Sequence, residues 1–493
     1  MRANHVVLFT VIVAFTVLTR LIPVLYTGYS FSNDVWILVR ISEYLSENPS
    51  TPVYSLVEVF SYHVEYPASI LESIVYSSIT GLPIAEFYRH TGVVVLSLAM
   101  AFSVYSFAGL LAVNFKPRVL SVLALSLIPS FTIYTSSYLK EVYAHALIPL
   151  LLCVLLQPRE LTVSRLLTVL VLSVAVVLSH PLASAVLSAT LVSYLFIDYT
   201  GSLVSRKQRV RFDSTRILLL VPVLLFTTYS LFVTSPVAVS FKDTVILAVY
   251  ALFTYSSYTL LGDVASGVLI TIALAPALVA LIYTVTAPVA PFLLALFVVP
   301  IGLLVAYKTG LEEVDKIRNA CLLPVATLVL YVLTYMVEAL SIIHRIANYV
   351  VYAFIPVCIG IGEKSRKVHY SLLLLLTLFT VTLSTLTALG GNPYTFYWRY
   401  GDYDFVLREL TIAVDHNVVI YGDPKYSYMV EEVKQVDYSV ARDFCTTRGF
   451  LAVSRDNFLY GVPVTPLDYV RLPGNLDQCR SRVFDAGYVY VYS

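Results

Sequence analysis

Charge is what this sequence has least of. Asp, Glu, Lys and Arg make up 13% of its 493 residues, where a soluble protein carries roughly a quarter. The motifs of several chemistries are also missing. There is no Walker loop, no GxGxxG ahead of a helix, no HExxH and no Cys/His zinc spacing. Those absences argue against ATP-driven transport, dinucleotide chemistry and zinc hydrolysis. Neither an internal repeat nor a low-complexity segment is visible, and a net charge of +1 gives no reason to expect a nucleic-acid partner.

What the chain does have is apolar length. Its mean hydropathy is +0.81, and runs of about 20 apolar residues, enough to cross a bilayer core, recur along most of it. The fold class this predicts is mainly α, a polytopic helical membrane protein. The N-terminus lacks a good small-residue cleavage signal, so its apolar run reads as a retained first span rather than a signal peptide. Spans are expected at about 6–26, 91–113, 119–138, 142–156, 165–179, 182–198, 216–234, 244–261, 264–286, 288–307, 320–338, 342–361 and 369–389. With these thirteen, the basic loops "SRKQRVRFDSTR", "YKTGLEEVDKIRN" and "GEKSRKVH" all fall on the cytoplasmic side. Residues 27–90 then form a first external loop. Within it, 66–83 is apolar enough to be a span; its Glu72, its prolines and its shortness favour a half-buried surface helix.

Residues 391–493 differ from the rest. They carry ten Lys/Arg against thirteen Asp/Glu, and strand-like runs alternate with Gly/Pro/Asp turns. The division expected is therefore 1–390 in the membrane and 391–493 as a small α/β domain outside it. Of five cysteines, Cys153, Cys321 and Cys358 lie in apolar spans and read as packing residues. Cys445 and Cys479 would suit one disulfide if their region is external.

Candidate chemistry collects at the outer ends of the spans. Asp34, in "SNDVW", is a good helix-start residue and also a carboxylate set just after the first span, with Trp36 close by. "HVEYPAS" places His63, Glu65 and Tyr66 before a helix; for His63 a solvated loop is the plainer reading. "YLKEVYAH" places Lys140, Glu141 and His145 between two spans, where Lys140 and Glu141 form either a surface ion pair or a phosphate-binding pair. His180, in "LSHPLAS", is by default a turn-capping residue. His344 and Arg345 open a late span on the side where cations are disfavoured; Arg345 either snorkels to headgroups or binds a lipid-borne phosphate, with Glu338 a possible structural partner.

Together these stretches resemble the GT-C glycosyltransferase superfamily. An acidic residue follows the first span (Asp34), a surface helix opens with "YPAS" (66–69), a polar motif marks the next outer loop (140–141) and an Arg marks a late span (Arg345). "PASIL" and "KExYA" resemble archaeal members most. Relatives on this reading include protein mannosyltransferases, aminoarabinose transferases and the catalytic subunits of oligosaccharyltransferases. The resemblance implies a multi-pass cell-membrane enzyme of GT-C fold that takes a sugar from a polyprenyl or dolichyl phosphate to a hydroxyl of a protein, lipid or glycan. It implies Asp34 as general base, with Lys140, His344 and Arg345 on the donor phosphate. Trp36, Glu65, Tyr66, Glu141 and His180 would line the substrate site. "YWRYGDYDF" (397–405) departs from the WWDYG signature, and "KE" stands where a DxD-like metal pair is found. Monosaccharide transfer with no required cofactor or divalent metal is therefore expected. The rival readings are a lipid-linked-sugar flippase or another transporter, and a receptor acting through its external domain. The near absence of charge in the central spans speaks against transport.

Overall fold

The computed structural model describes residues 3–28, 30, 32, 34–60, 62–126, 128–158, 160–204, 214–233, 241–261, 310–335, 345–346, 348–364, 371, 378, 419–422, 433–465, 468–485 and 489–493. The expected spans at 264–286 and 288–307, most of that at 369–389, His344, Glu338 and the stretch 391–418 lie outside the described residues.

The chain is mostly helical. α1 (Ala3–Thr27) is followed by α2 (Asp34–Glu47), a 3-10 turn (Val53–Leu56), α3 (Val57–Phe60), α4 (Tyr62–Glu65) and α5 (Ala68–Thr80). α6 (Ile84–Glu86) runs through a π turn (Phe87–Thr91) into α7 (Gly92–Leu111). α8 (Phe115–Ala124), α9 (Pro129–Tyr134), α10 (Lys140–Leu156), α11 (Val163–Val177) and α12 (Pro181–Val204) come next. They are followed by α13 (Ser214–Phe232), α14 (Phe241–Leu261), α15 (Glu312–Tyr335) and α16 (Val350–Lys364). α10 packs on α7 and α11, α12 on α13 and α15, and α16 on α15 and α8, around a main apolar core, with a smaller cluster of Ile197, Ala320, Leu323 and Ala326 on α12 and α15.

Among the described residues, three helices are long and apolar enough to cross a membrane: Asn4–Leu25, Ile84–Leu111 and Pro181–Gly201. Shorter apolar helices cover Val163–Val177, Arg216–Phe232, Val245–Leu260 and Val350–Glu363. α5 has 13 residues, about 20 Å at 1.5 Å each, too short for a bilayer core. It ends at Gly81, whose φ of 71° is the left-handed cap that glycine adopts most readily.

Three of the boundaries that differ from the sequence expectation have a visible cause. The continuous span expected at 119–138 is broken into α8 and α9, because Pro129 has no N–H to continue a helix and turns the residue before it away from α geometry. The freed Leu125 carbonyl instead accepts from Arg20 Nη2 (3.1 Å) and Thr132 Oγ1 (3.1 Å). The span expected from 91 begins at 84, since Glu86 accepts from Arg89 (2.9 Å) and pairs with His90 (3.0 Å), carrying the charged residues within the helix. α15 starts at Glu312 rather than 320, with Glu312, Glu313 and Asp315 in its first turn, where the helix dipole favours acid.

Several helix ends are closed by arginine. Arg118 donates to Ala112 O (3.0 Å) and Gly109 O (3.3 Å) at the end of α7. Arg165 donates to the carbonyls of Val154, Leu155 and Gln157 at the end of α10. Asp198 accepts from Arg216 (2.8 Å) and Lys316 (3.0 Å), tying α12, α13 and α15 together. Within α1, Arg20 is fully buried. Besides Leu125 O it donates to Thr135 Oγ1 (2.7 Å) and Thr16 O (2.9 Å), so a cation amid apolar helices is hydrogen-bonded rather than orphaned.

The C-terminal part contains a five-stranded sheet in the order β2-β1-β3-β7-β6 and a separate β4-β5 hairpin pair. The strands are β1 (Ile420–Gly422), β2 (Val433–Gln435), β3 (Phe450–Ser454), β4 (Val462–Thr465), β5 (Asp468–Val470), β6 (Arg482–Asp485) and β7 (Val489–Tyr492). β1 pairs parallel to β2 and β3, while β7 runs antiparallel to β3 and β6. Cys445 is bonded to Cys479, Cα–Cα 5.3 Å. Beside that bond, Arg480 donates to the carbonyls of Phe444, Thr447 and Gly449, fixing the 444–449 turn.

Candidate active site

The site assembles where helices begin and end. α1 stops at Gly28, whose N–H returns to Val24 O (2.8 Å) at a φ of 75°. The chain can then turn and place Asp34 in the first turn of α2, where a carboxylate suits the helix dipole. Asp34 Oδ2 accepts from Arg345 Nη2 at 3.4 Å. Arg345 enters from the segment leading into α16.

Lys140 and Glu141 open α10. Lys140 precedes the apolar stretch 142–156 and is 4% exposed. Its Nζ donates to His63 O (3.2 Å) and sits 5.9 Å from the Tyr66 ring centroid. Burial lowers its pKa to about 7; Asp34 and Glu65 oppose that shift, and Arg345 adds to it. His63 is held at about 3 by burial, then by Lys140, His180 and Arg345. Ionisable groups from five separate stretches of sequence thus act on one another.

Glu141 faces a different set. Its Oε2 accepts from Tyr134 (2.7 Å) and its Oε1 from Tyr349 (2.8 Å). His180 Nε2 stands 3.9 Å from Oε2 and His145 Nε2 3.9 Å from Oε1; His145 Nδ1 in turn meets the Tyr352 hydroxyl at 2.5 Å. Glu141 is thus a buried carboxylate whose two oxygens both accept from tyrosine hydroxyls. The turn before His180 is fixed from the first loop, since Ala68 N donates to Leu178 O (3.1 Å).

Glu65 and Tyr66 are buried. The Glu65 carbonyl accepts from the Tyr229 hydroxyl on α13, and Tyr66 meets the Tyr229 ring edge-on at 5.8 Å. Trp36 is half-buried on α2. Behind the first loop, Tyr138 donates to Glu72 and packs so closely on Gly92 that a Cβ there would collide with its ring. That contact sets the segment entering α10.

Asp34, Lys140, Arg345, His180 and Glu65 therefore come together with Tyr66. His344 lies outside the described residues. Sequence reasoning missed Tyr134, Tyr349, Tyr352 and Tyr229, which nothing marks out among 38 tyrosines. It also missed Arg20, whose signal was present as a guanidinium inside an apolar run.

No family model matches the sequence, and no curated protein matches it. Among solved structures, the chain is similar to ArnT from Cupriavidus metallidurans bound to undecaprenyl phosphate. Identity is 11% and the TM-score 0.42, covering 100% of this chain and 98% of that one. For the same protein in the apo state the identity is 12% and the TM-score 0.35, covering 86% and 87%. A likeness of this size transfers no function to the chain.

Proposed function

We propose that this chain is an inverting membrane glycosyltransferase of GT-C type. It moves a sugar from a polyprenyl (dolichyl) phosphate onto an acceptor hydroxyl at the outer membrane face. The observation that carries this is the meeting of one carboxylate, Asp34, with two cations, Arg345 and Lys140, beside buried Glu65 and Tyr66. The acceptor oxygen attacks the anomeric carbon from the side opposite the phosphate. As that bond forms, the bond to the phosphate oxygen breaks. Asp34 takes the hydroxyl proton as general base. The departing polyprenyl phosphate keeps the electron pair, and Arg345 and Lys140 hold its charge. His344 would add a hydrogen bond, and Trp36, Glu65, Tyr66 and His180 would line the sugar.

The reading calls for no nucleotide and no obligatory divalent metal. It places the C-terminal α/β domain outside the cell, where the Cys445–Cys479 bond suits an oxidising compartment. The acceptor is a hydroxyl of protein, lipid or surface glycan.

The test is to incubate the purified protein with labelled polyprenyl-phosphate sugars and a membrane extract. Transfer by the wild type and its loss in Asp34→Asn are expected. Absence of transfer from every such donor overturns the reading.

A further inference from the structure

His180 precedes Pro181, the first residue of α12, and is 7% exposed. Its Nδ1 is buried and has no hydrogen-bond partner, while its Nε2 faces Glu141 Oε2 at 3.9 Å. Lys140, Arg345, His63 and His145 are the other ionisable groups acting around it. Burial, then repulsion by Arg345 and Lys140, keep its pKa well below the ordinary value, so the ring is neutral.

A neutral imidazole has one N–H and one bare lone pair, and its surroundings decide which nitrogen carries which. Glu141 cannot swing away, because Tyr134 and Tyr349 hold its two oxygens at 2.7 and 2.8 Å. Its negative potential favours the proton on the nearer nitrogen, Nε2. Nδ1 is left as a buried acceptor beside two cations. Native structures rarely keep a buried acceptor without a donor unless a ligand or water supplies one. An ionised phosphate oxygen has no hydrogen to give, whereas a sugar hydroxyl does.

We propose that His180 is a specificity-determining residue whose Nδ1 accepts a hydrogen bond from a hydroxyl of the transferred sugar, with Glu141 as the positioning residue that fixes the tautomer. The identity of the hydroxyl rests on the sugar-transfer reading; the tautomer rests on the surroundings of the ring and not on that reading. Lys140 and Arg345 then hold the phosphate without help from His180.

Two measurements test this. Nitrogen-15 spectra of histidine-labelled protein, with His180 assigned by its loss in His180→Asn, are expected to give the Nε2–H tautomer between about pH 5 and 8. Glu141→Gln should mix the two tautomers. An Nδ1–H ring in the wild type overturns the proposal. Affinity is then compared for polyprenyl phosphate and for polyprenyl-phosphate sugars lacking single hydroxyls. His180→Phe should leave polyprenyl phosphate binding unchanged and weaken the full sugar donor by roughly tenfold. It should also erase the wild type's discrimination against one deoxy donor. His180→Asn, which keeps an acceptor close to the position of Nδ1, should restore part of the loss. Equal weakening toward polyprenyl phosphate, or toward every deoxy donor alike, overturns the role of His180 alone. A wild type that binds neither polyprenyl phosphate nor its sugars overturns the transfer reading and the hydroxyl assignment with it.

Discussion

Asp34 and Arg345 lie 311 residues apart in sequence and 3.4 Å apart in space. Their side chains are 34% and 31% exposed, so solvent screens the pair and its net contribution is about 1 kcal/mol or less. A bond that weak is readily exchanged. An anionic ligand can draw Arg345 away and leave Asp34 free to accept a proton.

Replacing Asp34 with Asn separates these roles. Asp34→Asn is expected to lower kcat by about 10²–10⁴-fold, the usual contribution of a general base. Donor affinity should hold or improve, since Arg345 loses its competitor. Single-turnover kinetics with a labelled donor measure both; a near-normal rate would remove Asp34 from the chemistry.

Arg345→Ala is expected to act on binding. Losing a charge-assisted hydrogen bond costs about 1.5–3 kcal/mol, or roughly 10- to 100-fold in donor Kd. Unchanged affinity in a flotation or thermophoresis assay would return Arg345 to headgroup anchoring.

Lys140 gives the site a pH dependence. With a pKa lowered to about 7 chiefly by burial, it is cationic below that value and neutral above it. Affinity for a polyprenyl phosphate should therefore fall as pH rises through and beyond 7. The bound anion favours the ammonium form and moves the midpoint upward. Lys140→Arg keeps its charge throughout, so its titration should be flatter; an equally steep curve would assign the dependence to another group.

The disulfide closes a loop with a sequence separation of 34, which in the chain-entropy model contributes about 4 kcal/mol. The double variant Cys445→Ser/Cys479→Ser should lower the unfolding midpoint of the C-terminal part. Protease sensitivity should appear first in the 444–449 turn, where Arg480 alone would remain to hold the carbonyls.

The helices around the site were legible because their apolar runs are long and their ends carry Gly, Pro or charge. α10, α11 and α12 begin within two residues of the expected spans 142–156, 165–179 and 182–198. The break between α8 and α9 was hidden by apolar residues on both sides of Pro129, and only the tertiary partners of Leu125 expose it. At the site, the charged members stood out because charge is scarce in this sequence. The tyrosines that hold Glu141 did not, since a hydroxyl's role depends on what lies across from it. The geometry also divides Lys140 from Glu141, which are adjacent in sequence. One turns to His63 and Tyr66, and the other to Tyr134 and Tyr349.

Arg20 has a consequence for how such a chain is made. Its donors on α1 emerge early from the ribosome, but Leu125 and Thr135, which receive two of its three side-chain hydrogen bonds, follow 105 and 115 residues later. A lone arginine deep in a bilayer is costly. During synthesis, α1 must therefore keep its guanidinium at the headgroup boundary or in the insertion machinery. It settles only once residues 125–135 have been made, so α1 cannot seat this guanidinium by itself.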